Sequence, residues 1–213
     1  MKITNGSTNF RLRIVKIINA CFLIGLVSLL GACASTGVSQ QFDFGDDINS
    51  KGTAVKVLPS PLTIQLAEIQ VPVSLESSAM LYRLQYDNGQ ELKPYAQSRW
   101  SMPPAQLLKQ RIKAQINRQG GAVMGSSDGV KALPLVRLEL EEFSQHFSHP
   151  HQSQVQIRWR ASLIKNNQLL GQKVFSAHAQ CDSPDAKGGA KAMPQASDVV
   201  ITELIHWLQT QLK

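Results

Sequence analysis

The sequence predicts an α/β domain: a mixed, partly antiparallel sheet with two main helices at about residues 103–118 and 196–212. Three observations carry that prediction. Apolar and polar residues alternate with period two in several segments between Leu62 and Ala179, the pattern of half-buried strands. Apolar stripes with helical spacing occur in two places, each beside Pro or Gly punctuation. The resulting order, β–β–β–α–β–β–β–β–α, contains no run of βαβ units, which excludes a purely parallel doubly wound sheet.

The elements follow in turn. Leu62, Ile64 and Leu66 alternate with Thr63, Gln65 and Ala67, so the first strand is placed at 62–73. Met80, Tyr82, Leu84 and Tyr86 begin the next strand, and Asn88-Gly89 predicts a tight hairpin, because both residues accept positive φ. Its return strand runs to Trp100. Pro103 and Pro104 then open a helix, where a missing N–H costs nothing, and Ala105, Leu108, Ile112 and Ile116 share one face before Gly120-Gly121 ends it. Beyond it, Val136, Leu138 and Leu140 form one alternating run, and Val155, Ile157, Trp159, Ala161 and Leu163 form another. If these two pair, the acidic residues between the first set oppose the arginines between the second. Asn166-Asn167 turns the chain into a partner strand at 172–179. A loop rich in Asp, Pro, Lys and Gly at 182–194 leads to the last helix, with Ser197 as its cap and Ile201, Leu204, Ile205, Leu208 and Leu212 as its stripe.

The chain of 213 residues, 43% apolar and 17% charged, has enough material for one core and too few charges for a disordered protein. A net charge of +7 suggests a nucleic-acid binder until its distribution is read. Lys2, Arg11, Arg13 and Lys16 stand in residues 1–32 with no acid, and removing them leaves 18 basic against 15 acidic residues, or +3. That is no electrostatic footprint for DNA or RNA.

Those first residues form an address. The apolar run at 17–30 rises about 21 Å as a helix, short of a hydrocarbon core of about 30 Å, so it suits the apolar part of a signal peptide better than a permanent span. It ends in Leu30-Gly31-Ala32-Cys33, which resembles the bacterial lipobox: small residues fit a peptidase cleft and the next residue supplies a thiol for acylation. Cleavage there makes 1–32 a signal peptide and lipidated Cys33 the mature N-terminus. Ala34 rather than Asp after that cysteine favours, by resemblance to Gram-negative sorting signals, the outer membrane and its periplasmic face. Residues 33–60 are small and polar and read as a flexible tether, with Phe42 and Phe44 available to dock part of it; 61–213 form the single domain. Cys181 is then the one thiol outside the signal and the anchor, and its expected state is burial.

The chain contains no G-x-G-x-x-G, P-loop, H-E-x-x-H or C-x-x-C, and no catalytic residue is assigned. His146, His149 and His151 invite zinc or copper, but Pro150 inside the spacing and the lack of an evident fourth ligand favour a polar hairpin tip. No metal and no cofactor is expected beyond the lipid on Cys33. Tyr82, Arg83, Tyr95, Arg99 and Trp100 cluster around the first hairpin; this is core-building composition first and protein-contact composition second.

The segments Met80-Leu81-Tyr82-Arg83-Leu84 and Pro94-Tyr95-Ala96-Gln97-Ser98-Arg99-Trp100-Ser101-Met102-Pro103-Pro104, with the lipobox and Phe42-Asp43-Phe44-Gly45, resemble the ABC-type transport auxiliary lipoprotein family, which includes the paraquat-inducible protein C type. The resemblance spans most of the mature chain. It implies an α/β domain that is not an enzyme, anchored in the outer membrane. The implied partners are a mammalian-cell-entry (MCE) domain protein and ABC transporter subunits that move lipid between membranes. Because some members form rings, it also implies a homo-oligomeric ring as a docking collar. Two other classes remain: a lipoprotein assembly factor for an outer-membrane barrel, and a periplasmic metal binder using the His146, His149 and His151 loop.

Overall fold

In this computed structural model, which describes residues 39–45, 61–125, 128–130 and 132–213, the sheet is built around one long strand. The expected signal peptide, the Leu30 to Cys33 motif and most of the expected tether lie outside the described residues. The elements are β1 (Gln40–Phe42), β2 (Thr63–Leu66), β3 (Ala79–Leu84), β4 (Asn88–Trp100), α1 (Pro104–Arg118), β5 (Ala122–Gly125), β6 (Leu135–His149), β7 (Gln152–Lys165), β8 (Gln168–Gln180) and α2 (Ala186–Gln211). The class is the expected one, a mixed sheet with two helices.

One edge of β6 pairs antiparallel with β7 from Leu135↔Ile164 to His149↔Gln152, and β7 pairs with β8. Two strands share the other edge end to end. β2 lies parallel to it at Leu135 and Val136, and β3 lies parallel to it at Gln145, His146 and Phe147. β5 continues the sheet beyond β2, while β4 and then β1 continue it beyond β3, so the sheet forks. The expected single strand at 62–73 is therefore shorter. It ends at Leu66, touches β6 again at Gln70↔Glu139, and leaves through a 3-10 turn, Val73–Leu75. Pro72 precedes that turn and has no N–H to offer a ladder.

The helices cover one face. Val155, Ile157, Trp159, Ala161 and Leu163 of β7 are all fully buried, as are Ala196, Val200, Ile201, Leu204 and Leu208 of α2. Leu108, Ile112 and Ile116 of α1 join the same core. On the opposite face, Glu141 pairs with both Arg158 and Arg160 at 2.9 Å, the acid–arginine opposition the alternation predicts.

Two expectations are corrected. α2 begins at Ala186, so most of the expected loop at 182–194 is helical, and Ser197 is not a cap: its buried hydroxyl donates to the Met193 carbonyl at 2.8 Å. Asp185 is the cap, accepting from the Gly188 N–H at 2.7 Å. The run of Gly, Ala, Lys and Pro reads as a loop by propensity, but Ala190, Ala192, Met193 and Pro194 are buried, and packing overrides propensity. The second correction adds a strand before the expected first one. β1 runs parallel to β4 at 98–100, the Ser101 N–H donates to the Phe42 carbonyl at 2.6 Å, and Phe44 is 6% exposed. Phe44 meets Trp100 edge to face at 5.9 Å and stacks on Phe143 at 6.3 Å, so this part of the tether docks on the domain.

Candidate functional site

The β3–β4 hairpin carries the residues singled out as a contact surface. Its turn forms as expected, with Asn88 Oδ1 accepting the Gln90 N–H at 3.1 Å. The two strands do not run in step, however. Between Ala79↔Arg99 and Leu81↔Pro94, β3 advances two residues while β4 advances five. This bulge turns Tyr95 inward onto Tyr82, ring centroids 4.6 Å apart, and Tyr82 meets Phe147 edge to face at 5.9 Å. The Tyr95 hydroxyl donates to Gln145 Oε1 at 3.0 Å, and Gln145 Nε2 donates to Ser153 Oγ at 2.8 Å. Burial raises the Tyr95 phenol far above its ordinary range, so it stays a donor.

Arg83 belongs to the other face, one residue along. It donates to the Gly89 and Gln90 carbonyls at 3.4 and 3.3 Å, bracing the turn, and stands 3.7 Å from Glu142. Beside it runs a polar chain. Gln85 Nε2 lies 3.0 Å from His146 Nδ1, His146 Nε2 lies 3.0 Å from Ser144 Oγ, and Ser144 donates to Glu142 Oε1 at 2.6 Å. One tautomer satisfies every link: Gln85 donates to Nδ1, Nε2–H donates to Ser144, and the Ser144 hydrogen goes to Glu142. Burial pushes the Glu142 carboxyl up, but the His146 ring 3.8 Å away, the hydrogen bond from Ser144 and the charge of Arg83 outweigh it and hold the group below its usual range. Serine, histidine and glutamate side by side invite comparison with a hydrolase. The order is wrong for one: the serine sits between the other two, its hydroxyl already donated to the carboxylate, and it is 1% exposed.

Strand alternation therefore divides the expected contact set. Tyr82 and Tyr95 are half-buried on the inner side, Arg83 braces the outer side, and Arg99 is exposed beside β1. Trp100 is 3% exposed within the core and offers no contact surface, which corrects its place in the set. The three histidines are divided as well. His146 lies within β6, buried, with both ring nitrogens engaged, while His149 and His151 stand exposed at the β6–β7 turn. Among the described residues no group of three His, Cys, Asp or Glu is placed to hold a metal. Cys181 is half-buried, its thiol pushed up by burial.

Sequence reading missed what joins the two helices. Arg111, 6% exposed, donates to both oxygens of Asp198 at 2.7 Å, and Gln115 donates to the same carboxylate at 2.6 Å. No spacing signal announces a pair 87 residues apart. A cavity of about 630 Å³ lies above Arg111, walled by Phe44, Ser101, Met102 and Leu107. A second, of about 530 Å³, lies where Pro61, Leu62, Pro134, Lys165, His206 and Leu212 meet. Among the described residues no helix is long and apolar enough to cross a membrane.

A family model described as the ABC-type transport auxiliary lipoprotein component matches residues 47–204. The fold is similar to the crystal structure of protein XCC0632 from Xanthomonas campestris, at 20% identity and a TM-score of 0.63, covering 74% of this chain and 91% of that one. It is also similar to the crystal structure of an uncharacterized protein, at 12% identity and a TM-score of 0.62, covering 80% of this chain and 99% of that one. No curated protein matches the sequence.

Proposed function

Because the chain belongs to the ABC-type transport auxiliary lipoprotein component family, we propose that it is the non-catalytic, lipid-anchored periplasmic component of an ABC/MCE-type intermembrane lipid transport system. The family match carries this reading, and the Leu30-Gly31-Ala32-Cys33 motif supports the anchor. Acylation at Cys33 holds the N-terminus at the periplasmic face of the outer membrane, each buried CH₂ contributing about 0.8 kcal/mol. The domain then presents its surface to an MCE-domain protein and, through it, to ABC subunits. Tethering turns a weak domain contact into an intramolecular one at an effective concentration of about millimolar.

Cys33→Ala is expected to yield a folded domain that fails to support transport; full transport by the soluble variant would contradict the reading. Crosslinking in native membranes with a tag after Lys213 is expected to recover an MCE protein with ABC subunits. Recovery of an outer-membrane barrel alone would replace this reading with that of an assembly factor.

A further inference from the structure

We propose that the domain stands on its anchoring bilayer with the β3–β4 and β6–β7 turns against the lipid headgroups and the Pro61, Pro134 and Leu212 end turned away. The inference rests on acylation of Cys33. It follows from strand directions and from the length of chain between the anchor and β1.

β3 is parallel to β6, so the turns that end them, at 87–90 and 150–151, lie at one end of the sheet. β1 is parallel to β4 and antiparallel to β3, so the chain enters β1 from that same end. Gln40 is opposite Ser98, next to the Ala79↔Arg99 pair, and Tyr82 is opposite Gln145; Gln40 is therefore level with about Phe143 of β6. From that level the two turns are six or seven residues away, about 20–23 Å at ~3.3 Å per residue. The other end, beginning at Leu135, is eight residues away, about 26 Å, and Pro134 and Leu62 lie farther still.

Because β1 is docked, the leash runs from Cys33 to Gln40 and not to residue 60. Seven residues span at most about 25 Å fully extended. That reach is enough to bring a bilayer at Cys33 to the level of the turns. Inverted, it would have to double back and still fall short of a membrane lying beyond Leu135.

The surfaces agree with this assignment. Asn88, Gln90, His149, His151 and Gln152 are exposed and polar, and Tyr86 is 46% exposed, a composition suited to a headgroup layer with a tyrosine at its boundary. Leu169 and Leu170, 62% and 40% exposed, stand at the opposite end with the 530 Å³ cavity. In this orientation that end faces away from the bilayer.

The test uses the full chain, purified with its lipid, in vesicles of phosphatidylcholine and phosphatidylglycerol containing a nitroxide headgroup lipid. Single fluorophores are placed through Tyr86→Cys, His151→Cys or Thr210→Cys in a Cys181→Ser background. Quenching at Tyr86→Cys and His151→Cys is expected to exceed that at Thr210→Cys at least twofold. Inserting twelve Gly and Ser residues after Ala34 is expected to abolish the difference. Equal quenching at both ends, or stronger quenching at Thr210→Cys, overturns the orientation; a difference that survives the insertion overturns the leash as its cause. Intact mass separates the two levels: a chain without acyl groups overturns the anchor, and the orientation with it.

Discussion

Gly189→Ala tests whether the buried contact between α2 and β6 is as tight as it stands. A Cβ at this position would lie 2.2 Å from Gln145 Oε1 and 2.9 Å from its Cδ, so one of the two must move. A glutamine end normally yields easily. Here it is 3% exposed and held by Tyr95 at 3.0 Å and Ser153 at 2.8 Å. Displacing it loses two hydrogen bonds worth about 0.5–1.5 kcal/mol each and leaves buried hydroxyls that cost about 1–3 kcal/mol where they stay unpaired. Replacing a helical glycine returns about 0.5–1 kcal/mol. The expected net loss is about 2–4 kcal/mol, or about 5–15 °C in Tm for a domain of this size. Urea unfolding of Gly189→Ala, Gln145→Ala and the double variant measures it as a cycle. In the Gln145→Ala background the alanine meets no obstacle and is expected to be neutral or stabilising, a coupling of about 2 kcal/mol or more. A loss below about 0.5 kcal/mol for Gly189→Ala alone, or losses that add within that margin, would refute the reasoning.

Three further outcomes are expected. Phe44→Ala should undock β1 and not unfold the domain, because the segment can open locally. Amide exchange at Ser101 should accelerate by about 2–3 kcal/mol of lost protection while β7 stays protected, and an unchanged Ser101 amide would count against the docked strap. Arg111→Met leaves the Asp198 carboxylate beside Gln115 without that charge; with Asp198 25% exposed, the loss is discounted from the fully buried case to about 2–3 kcal/mol. Adding Asp198→Leu should recover most of it, and chemical denaturation decides. The Gly188 N–H and the Ser183 hydroxyl hold the Asp185 carboxyl below its ordinary range. Its contribution is therefore complete above the unfolded value of about 3.9 and fades as pH falls through the lower folded value. Asp185→Asn should be less stable than the parent at neutral pH and equal to it in strong acid, as thermal melts across pH would show; a difference that persists in acid would assign the effect to packing.

What could be read from the chain is what local rules govern. Alternation in β7 placed its buried face, Asn88-Gly89 placed the hairpin, and Pro103-Pro104 with Gly120-Gly121 bounded α1, because backbone sterics and side-chain period act over a few residues. The acid–arginine ladder of Glu141 with Arg158 and Arg160 followed from the same period. The Leu30-Gly31-Ala32-Cys33 motif is equally local, a string of four residues whose resemblance to a lipobox needs no fold to be seen.

Tertiary structure alone decided what depends on distant neighbours. The glycine-rich start of α2 is a poor helix former and is helical because it packs on β6, where Gln145 fills the space a side chain at Gly189 would need. The bulge in β4 determined how Tyr95 is turned relative to Trp100, while alternation in β3 parted Tyr82 from Arg83. The docking of Phe44 on Trp100 and Phe143 made part of the domain out of a segment whose composition reads as a tether. Composition could mark Phe44 as able to bury itself; only a core with a space beside Trp100 could make it do so, since burial needs a partner surface that no single segment carries.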